Sequence, residues 1–188
     1  MQTAFVIGVG MPRFGKLPDR GIKSLVAEAT RLALSDANLD ARRLESVWFA
    51  NSGWGMNGGQ DCIRGQVALR PAGIDAVPIV NVENACAGGA TALHGAWLEI
   101  ASGAADVALA VGVEKLFQKD RLRMFASFLG ALDVEELPRL IAQARELGAA
   151  QERSEPAPRG RSERRARRGH RTRPPLRTWV TGLPALVR

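Results

Sequence analysis

Residues 86–102 constrain the fold more than any other stretch of the chain. Their spacing predicts a helix closed by Gly103, yet Ala85, Ala87, Gly88, Gly89, Ala90, Ala92, Gly95 and Ala96 leave its first turns almost without a polar face. A helix that is apolar on every side is normally buried on every side. Packing on one sheet covers only one of those sides. The segment therefore calls for a second layer opposite the first, supplied either by another half-domain of the same chain or by a partner subunit.

The flanking sequence supplies the sheet. Residues 77–82 are strand-like, and residues 106–112, "DVALAVG", form an uninterrupted apolar run typical of a strand covered on both faces. Upstream, residues 5–10 read as a short buried strand ended by glycine. Residues 22–38 then place Ile22, Leu25, Val26, Ala29, Leu32 and Ala33 at helical spacing. A second strand is expected over 47–51, then the loop "SGWGMNGGQD", then a short helix over 63–69 that "PAG" stops. Strands alternating with helices imply a mostly parallel sheet with right-handed crossovers. Beyond Glu114 the pattern loosens, although a helix beginning near Pro138 would set Leu140, Ile141, Ala144 and Leu147 on one side. One domain is expected over residues 1–150.

Charge separates the remainder from that domain. The net charge of +7 would suggest a nucleic-acid or membrane partner if it were spread along the chain. Residues 1–150 carry 15 Lys+Arg against 16 Asp+Glu, a net −1, whereas residues 151–188 carry 11 Arg against 3 Glu, a net +8. That tail, rich in Arg and Pro and without periodicity, buries too little apolar area to offset its ordering entropy and is expected to be disordered. Binding nucleic acid through it is the weaker reading, because it offers no folded platform and no aromatic besides Trp179. No run approaches the ~20 apolar residues that span a bilayer, and no basic leader precedes the first apolar run. A cytoplasmic protein with no membrane contact is expected. Two cysteines do not make a disulfide framework, and two histidines without ligand spacing argue against a structural metal site.

Two phosphate-binding motifs fail on their chemistry. Gly10 to Leu17 matches a phosphate loop except at the last position, where Leu17 has no hydroxyl for magnesium; Pro12 also removes a backbone donor. A dinucleotide fingerprint starting at Gly8 needs glycine where Arg13 stands. Cys62, at a loop-to-helix junction without a base nearby in sequence, reads as a packing residue, and His94 as a core or interface histidine two turns beyond Cys86. Cys86 differs from both. It follows a strand and opens a helix, so the unpaired amides and positive end of that helix favour thiolate over thiol. Ala87, Gly88 and Gly89 keep side chains clear of the sulfur, and a sharp strand-to-helix turn is how a nucleophile elbow exposes its reactive atom beside oxyanion-holding amides.

These residues resemble a known family. "NVENACAGGATALHGAWLEIASGAADVALAVGVEKL" is similar to the nucleophile segment of the thiolase superfamily, especially its lipid-transfer-protein (sterol-carrier) branch. "VIGVGMPRFGKLPDR" resembles that branch's first strand and loop, and "GGQDCIRGQVALRPAGI" its loop and helix near the dimer contact; the likeness covers residues 3–135. It implies an α/β fold, namely a thiolase-like βαβαβαββ half with a mixed, mostly parallel sheet and helices on both faces. It implies an acyltransferase in which Cys86 attacks a coenzyme A thioester, with Claisen condensation or its reverse to follow. No cofactor or metal is implied, coenzyme A entering as the substrate's thioester. A homo-oligomer or a thiolase-like partner is implied as well.

The family's remaining catalytic groups, a histidine in a Gly-His-Pro motif and a second cysteine, belong to a second half. No Gly-His-Pro occurs here, the only late histidine is His170, and no cysteine follows Cys86. The chain is thus expected to be an N-terminal half whose continuation has been replaced near residue 150, as an out-of-frame reading of a G/C-rich gene would do. The alternative is a non-catalytic half acting as a partner subunit or an inactive fragment.

Overall fold

The structure is a computed structural model that describes residues 2–118, 120–154 and 185–187. The chain divides into two compact units, residues 1–127 with 178–188, and residues 128–177.

The first unit is built on a five-stranded mixed sheet. Its strands are β1 (Val6–Val9), β2 (Ser46–Ala50), β3 (Ile79–Val82), β4 (Ala108–Gly112) and β5 (Ala185–Val187), in the spatial order β1-β5-β4-β2-β3. β2 pairs in parallel with both β3 and β4, and β5 lies antiparallel to both β1 and β4. Its helices are α1 (Ile22–Asp36), α2 (Trp54–Gly58), α3 (Arg64–Leu69), α4 (Gly88–Ser102) and α5 (Arg121–Ala126). The succession through β4 is the expected βαβαβαβ, with parallel strands joined through helices; two further helices then precede β5, which runs antiparallel inside the sheet, between β1 and β4.

The two faces of the sheet differ in kind. Alternate residues of a strand point to opposite faces, and here they sort by size. Val47 and Phe49 of β2, with Leu109 and Val111 of β4, pack with Leu25, Val26, Ala33, Ala68 and Leu69 of α1 and α3. Each of these large side chains, almost wholly buried, contributes about 1.5–3 kcal/mol, so this layer carries most of the hydrophobic stabilisation. On the other face Ala50, Ala108 and Ala110 meet Ala92, Ala96 and Ile100 of α4. Small residues on both sides bring α4 close to the sheet. At Gly95 an added Cβ would lie 2.2–2.4 Å from the Trp48 ring.

The glycines that mimicked a nucleotide motif have a packing role. A Cβ on Gly8 would meet the Ala33 carbonyl oxygen at 2.5 Å, and one on Gly10 the Ala29 oxygen at 2.4 Å, so β1 lies directly on α1. The adjoining loop is also used structurally: Lys115 Nζ donates to the carbonyls of Pro18 and Arg20, and Lys16 Nζ stands 5.7 Å from the Phe117 ring centre.

Most expected elements appear within two residues of the predicted bounds. Three differences remain. Trp54–Gly58, read as loop, is the short helix α2, started where the Asn51 side chain accepts the Trp54 amide at 3.0 Å. α5 had no periodic signal. In α1 the buried position on the third turn is Thr30, at 1% exposure, while Leu32 is only partly buried.

In the second unit, α6 (Leu137–Ser154) begins after Asp133, whose carboxylate accepts the amides of Glu135 and Glu136. The basic tail expected over 151–188 falls largely outside the described residues, at 155–184 and 188. Its described portions are structured: 151–154 complete α6, and Ala185–Val187 form β5.

Candidate functional site

The polar residues of the first unit gather where the parallel strands end. In open α/β sheets the carboxyl ends of the strands are where ligands are met. Here Asn51 and Ser52 follow β2, Glu83 and Asn84 follow β3, and Val113 and Glu114 follow β4. Asn51, 3% exposed, ties two of these exits together by donating from Nδ2 to the Val113 carbonyl at 2.7 Å. Arg64 Nη1 donates to the Asn51 carbonyl at 2.6 Å, and the Glu114 carboxylate accepts the amides of Ser52 and Gly53. The chain leaving β2 is therefore held by its carbonyls from one side and by its amides from the other.

Cys86 is presented on the next exit. Ala85–Ala87 form one 3-10 turn that runs straight into α4 at Gly88, and Cys86 is exposed and carries a free thiol. The turn depends on Ala85 having φ +42°, a left-handed conformation that costs a non-glycine residue on the order of 1–3 kcal/mol. Four side chains hold it. Ala85 donates its amide to Glu83 Oε1 at 2.7 Å, and the Ser52 hydroxyl donates to the Ala85 carbonyl at 3.3 Å. On the far side Asn84 Nδ2 donates to Thr91 Oγ1 at 2.9 Å, and Thr91 Oγ1 donates to the Ala87 carbonyl at 3.1 Å. Gly89, exposed, has open space where a Cβ would stand, and Gly88 is buried against Ala50. The approach to the turn is thus lined by small residues, as the sequence predicts.

The two carboxylates behind this turn are tuned in opposite directions. Glu83 is held below its ordinary value, first by the Ala85 amide, then by the Ser52 hydroxyl, whose one proton it shares with the Ala85 carbonyl, and by the Arg64 charge. Burial pushes Glu114 above its ordinary value, against the lowering pull of the Ser52 and Gly53 amides and of Arg64. Glu83 is the anchored anion of the pair.

The other residues singled out in sequence lie apart from Cys86 in role. Of the core and interface readings of His94 the core one does not hold, because His94 is exposed, and it stacks on Trp97 with ring centres 5.7 Å apart. Eight residues along a helix is a rise of ~12 Å, too far for His94 to serve as a base for Cys86. Cys62 is likewise exposed rather than packed, and lines a pocket of about 250 Å³ with Asp61, Arg64, Asn81 and Glu83. His170 lies outside the described residues. Ser52, Glu83, Arg64 and Glu114 were not recognised as site residues from sequence. Their positions immediately after strand ends, or one short helix away, are the signal that marks them.

α4 shows both sides of its composition. Gly88, Ala92, Gly95, Ala96 and Ile100 are buried, while Leu93, Trp97 and Leu98 on the opposite side are 38–43% exposed. Among the described residues no helix is long and apolar enough to cross a membrane, and no cluster of three or more His, Cys, Asp or Glu could hold a metal ion.

This geometry coincides with a family match. Residues 4–138 match the family model described as thiolase, N-terminal domain, and the chain belongs to that family. It is 39% identical over 116 residues to acetyl-CoA acetyltransferase of Methanocaldococcus jannaschii, an alignment covering 62% of this chain and 29% of that one. It is 37% identical over 120 residues to sterol carrier protein 2 of Homo sapiens, covering 62% of this chain and 21% of that one. The chain thus spans less than a third of the length of these relatives. Among solved structures, 3-oxoacyl-[acyl-carrier-protein] synthase III from Aquifex aeolicus superposes with a TM-score of 0.53 at 21% identity, over 64% of this chain and 49% of that one. The priming β-ketosynthase of the R1128 polyketide pathway gives 0.52 at 20% identity, over 60% and 42%. These two likenesses are of fold.

Proposed function

We propose that the chain carries the nucleophile half of a thiolase-type acyltransferase acting on acyl-CoA thioesters. Cys86 Sγ attacks the thioester carbonyl, the Cys86 backbone amide faces the developing oxyanion, and the carbon–sulfur bond to coenzyme A breaks as the Sγ–acyl bond forms. The proton given up by Cys86 leaves with the coenzyme A thiol. The observation that carries this reading is the placement of Cys86 on a strained turn at the carboxyl end of the parallel sheet, leading into a glycine-started helix, within the residues that match the family. Coenzyme A is here a substrate component and not a resident cofactor. The reading sets the chain in cytoplasmic acyl-CoA and lipid metabolism, as a homo-oligomer or beside a thiolase-like partner.

The test is acylation by acetyl-CoA, followed by peptide mass mapping. An acetyl adduct on the Cys86 peptide that disappears in Cys86→Ala, with Cys62 unmodified, is expected. An adduct spread equally over both thiols, or none, refutes the reading.

A second reading is favoured by the exposed apolar face of α4. Leu93, Trp97 and Leu98 in water are what a half made to be covered by another domain would display. On this reading the chain is a non-catalytic partner of a complete thiolase. It would form a defined complex by size exclusion, with Cys86 unacylated.

A further inference from the structure

The peptide plane between Ala85 and Cys86 carries two groups of consequence: the Ala85 carbonyl, and the Cys86 amide that would face an oxyanion. A trans peptide is planar, so its carbonyl and its N–H point in opposite directions and the direction of one fixes the other. No cis peptide occurs among the described residues. The carbonyl of this plane accepts the Gly88 amide, which closes the 3-10 turn, and the Ser52 hydroxyl at 3.3 Å. The preceding plane is fixed by the Ala85 amide, which donates to Glu83 Oε1 at 2.7 Å. Ala85 lies between the two planes at φ +42°, a conformation that it holds only while its surroundings impose it.

Ser52 is itself immobilised. Its amide donates to Glu114 and its carbonyl lies 3.4 Å from Arg64 Nη1, so its hydroxyl projects from a chain segment fixed on both sides. Glu83 follows β3 directly, and β3 is paired along its length with β2. The two groups that grip Ala85 thus come from neighbouring strand ends whose spacing the sheet sets.

We propose that Ser52 and Glu83 are positioning residues for Cys86: by holding the carbonyl and the amide of Ala85, they keep the Cys86 N–H turned toward the space in front of Sγ, where a thioester oxygen would sit. The proposal deepens the acyl-transfer reading and rests on it. The Gly88 amide still closes the turn when either side chain is lost, but without the Ser52 and Glu83 bonds that main-chain bond is left to hold Ala85 at its positive φ, and relaxation of Ala85 tilts the plane and withdraws the oxyanion donor while leaving the thiol exposed. Loss of Ser52 or Glu83 therefore impairs reactions that develop an oxyanion and spares those that do not.

Two reagents separate these cases. Acetylation by acetyl-CoA passes through an oxyanion, whereas alkylation by iodoacetamide is a displacement at saturated carbon. In Ser52→Ala and Glu83→Ala the rate of Cys86 acetylation is expected to fall on the order of 10- to 100-fold, as loss or misplacement of one oxyanion donor entails. Alkylation of Cys86 should stay within about twofold of the parent, because no oxyanion forms. Ser52→Thr, which keeps a hydroxyl, should recover most of the acetylation lost in Ser52→Ala. An acetylation rate in Ser52→Ala equal to the parent's overturns the proposal. So does a parallel fall in acetylation and alkylation, which marks a general structural role. If the parent chain itself is not acetylated, the acyl-transfer reading fails and the amide resonances still decide the clamp. The Cys86 amide should shift in Ser52→Ala and the Ala85 amide should exchange faster in Glu83→Ala; unchanged spectra overturn it.

Discussion

Replacing Gly95 by alanine tests how α4 meets the sheet. The new Cβ would stand 2.2, 2.3 and 2.4 Å from Cε3, Cδ2 and Cζ3 of Trp48. Carbon atoms settle at about 3.5–4.0 Å, so α4 or the indole must give by more than ~1 Å. Those three atoms belong to the fused ring of a residue on a central strand, paired on both sides by β3 and β4, and cannot swing aside like the end of a flexible chain. Overpacking of this kind costs about 1–3 kcal/mol, and the misfit here argues for the upper part of that range. Alanine's better helix propensity returns about 1 kcal/mol. A net loss of about 1–2 kcal/mol is expected, equivalent to a Tm lower by roughly 2–8 °C. Urea unfolding of Gly95→Ala in the parent and in a Trp48→Leu background is the assay. With the ring gone, the alanine should be neutral or stabilising. A more stable Gly95→Ala in the parent background, or an equal loss in both, refutes the packing argument.

Other consequences follow from particular residues. Thr30 is 1% exposed on α1 and its hydroxyl has no hydrogen-bond partner among the described residues, so Thr30→Val should raise stability by about 1 kcal/mol; a lower urea midpoint would mean that the hydroxyl is satisfied. Glu114 has its value raised in the fold, so the stability it contributes is full below the ordinary glutamate value and is lost as pH rises through the raised one. Glu114→Gln should remove that segment of the pH–stability curve, and identical curves would contradict the burial argument. Glu83 has the opposite sign: its contribution is present above the ordinary glutamate value and lost as pH falls through the lowered one. The stability gap between parent and Glu83→Ala should therefore narrow in acid, and a gap that widens there would sink the assignment. Leu186→Pro removes an amide from the strand that joins β1 to β4. Hydrogen exchange should quicken in β1 but little in β3, and equal protection in β1 would show that β5 does not hold it.

The sequence was informative wherever a residue's neighbours along the chain decide its role. The alternation of apolar runs and helical periods gave the order of elements through β4, because burial patterns repeat at periods of two and 3.6 regardless of which element lies alongside. The small residues around Cys86 gave both the exposed cysteine turn and the close approach of α4, since absence of a side chain is a local property. The same composition indicated a helix made to be covered twice, and Leu93, Trp97 and Leu98 stand exposed where a second layer would lie. Tertiary structure alone decided the rest. Ala185–Val187 lie at the far end of the chain, in a segment whose composition signals no strand, and become β5 only because β1 and β4 offer unpaired edges on either side. Ser52, Glu83 and Glu114 are ordinary polar residues in sequence, up to 62 positions apart, and form one constellation because parallel pairing brings the ends of β2, β3 and β4 side by side. A hydrogen bond between distant residues leaves no period in the sequence, so the grip on Ala85 could be seen only once the strands were placed.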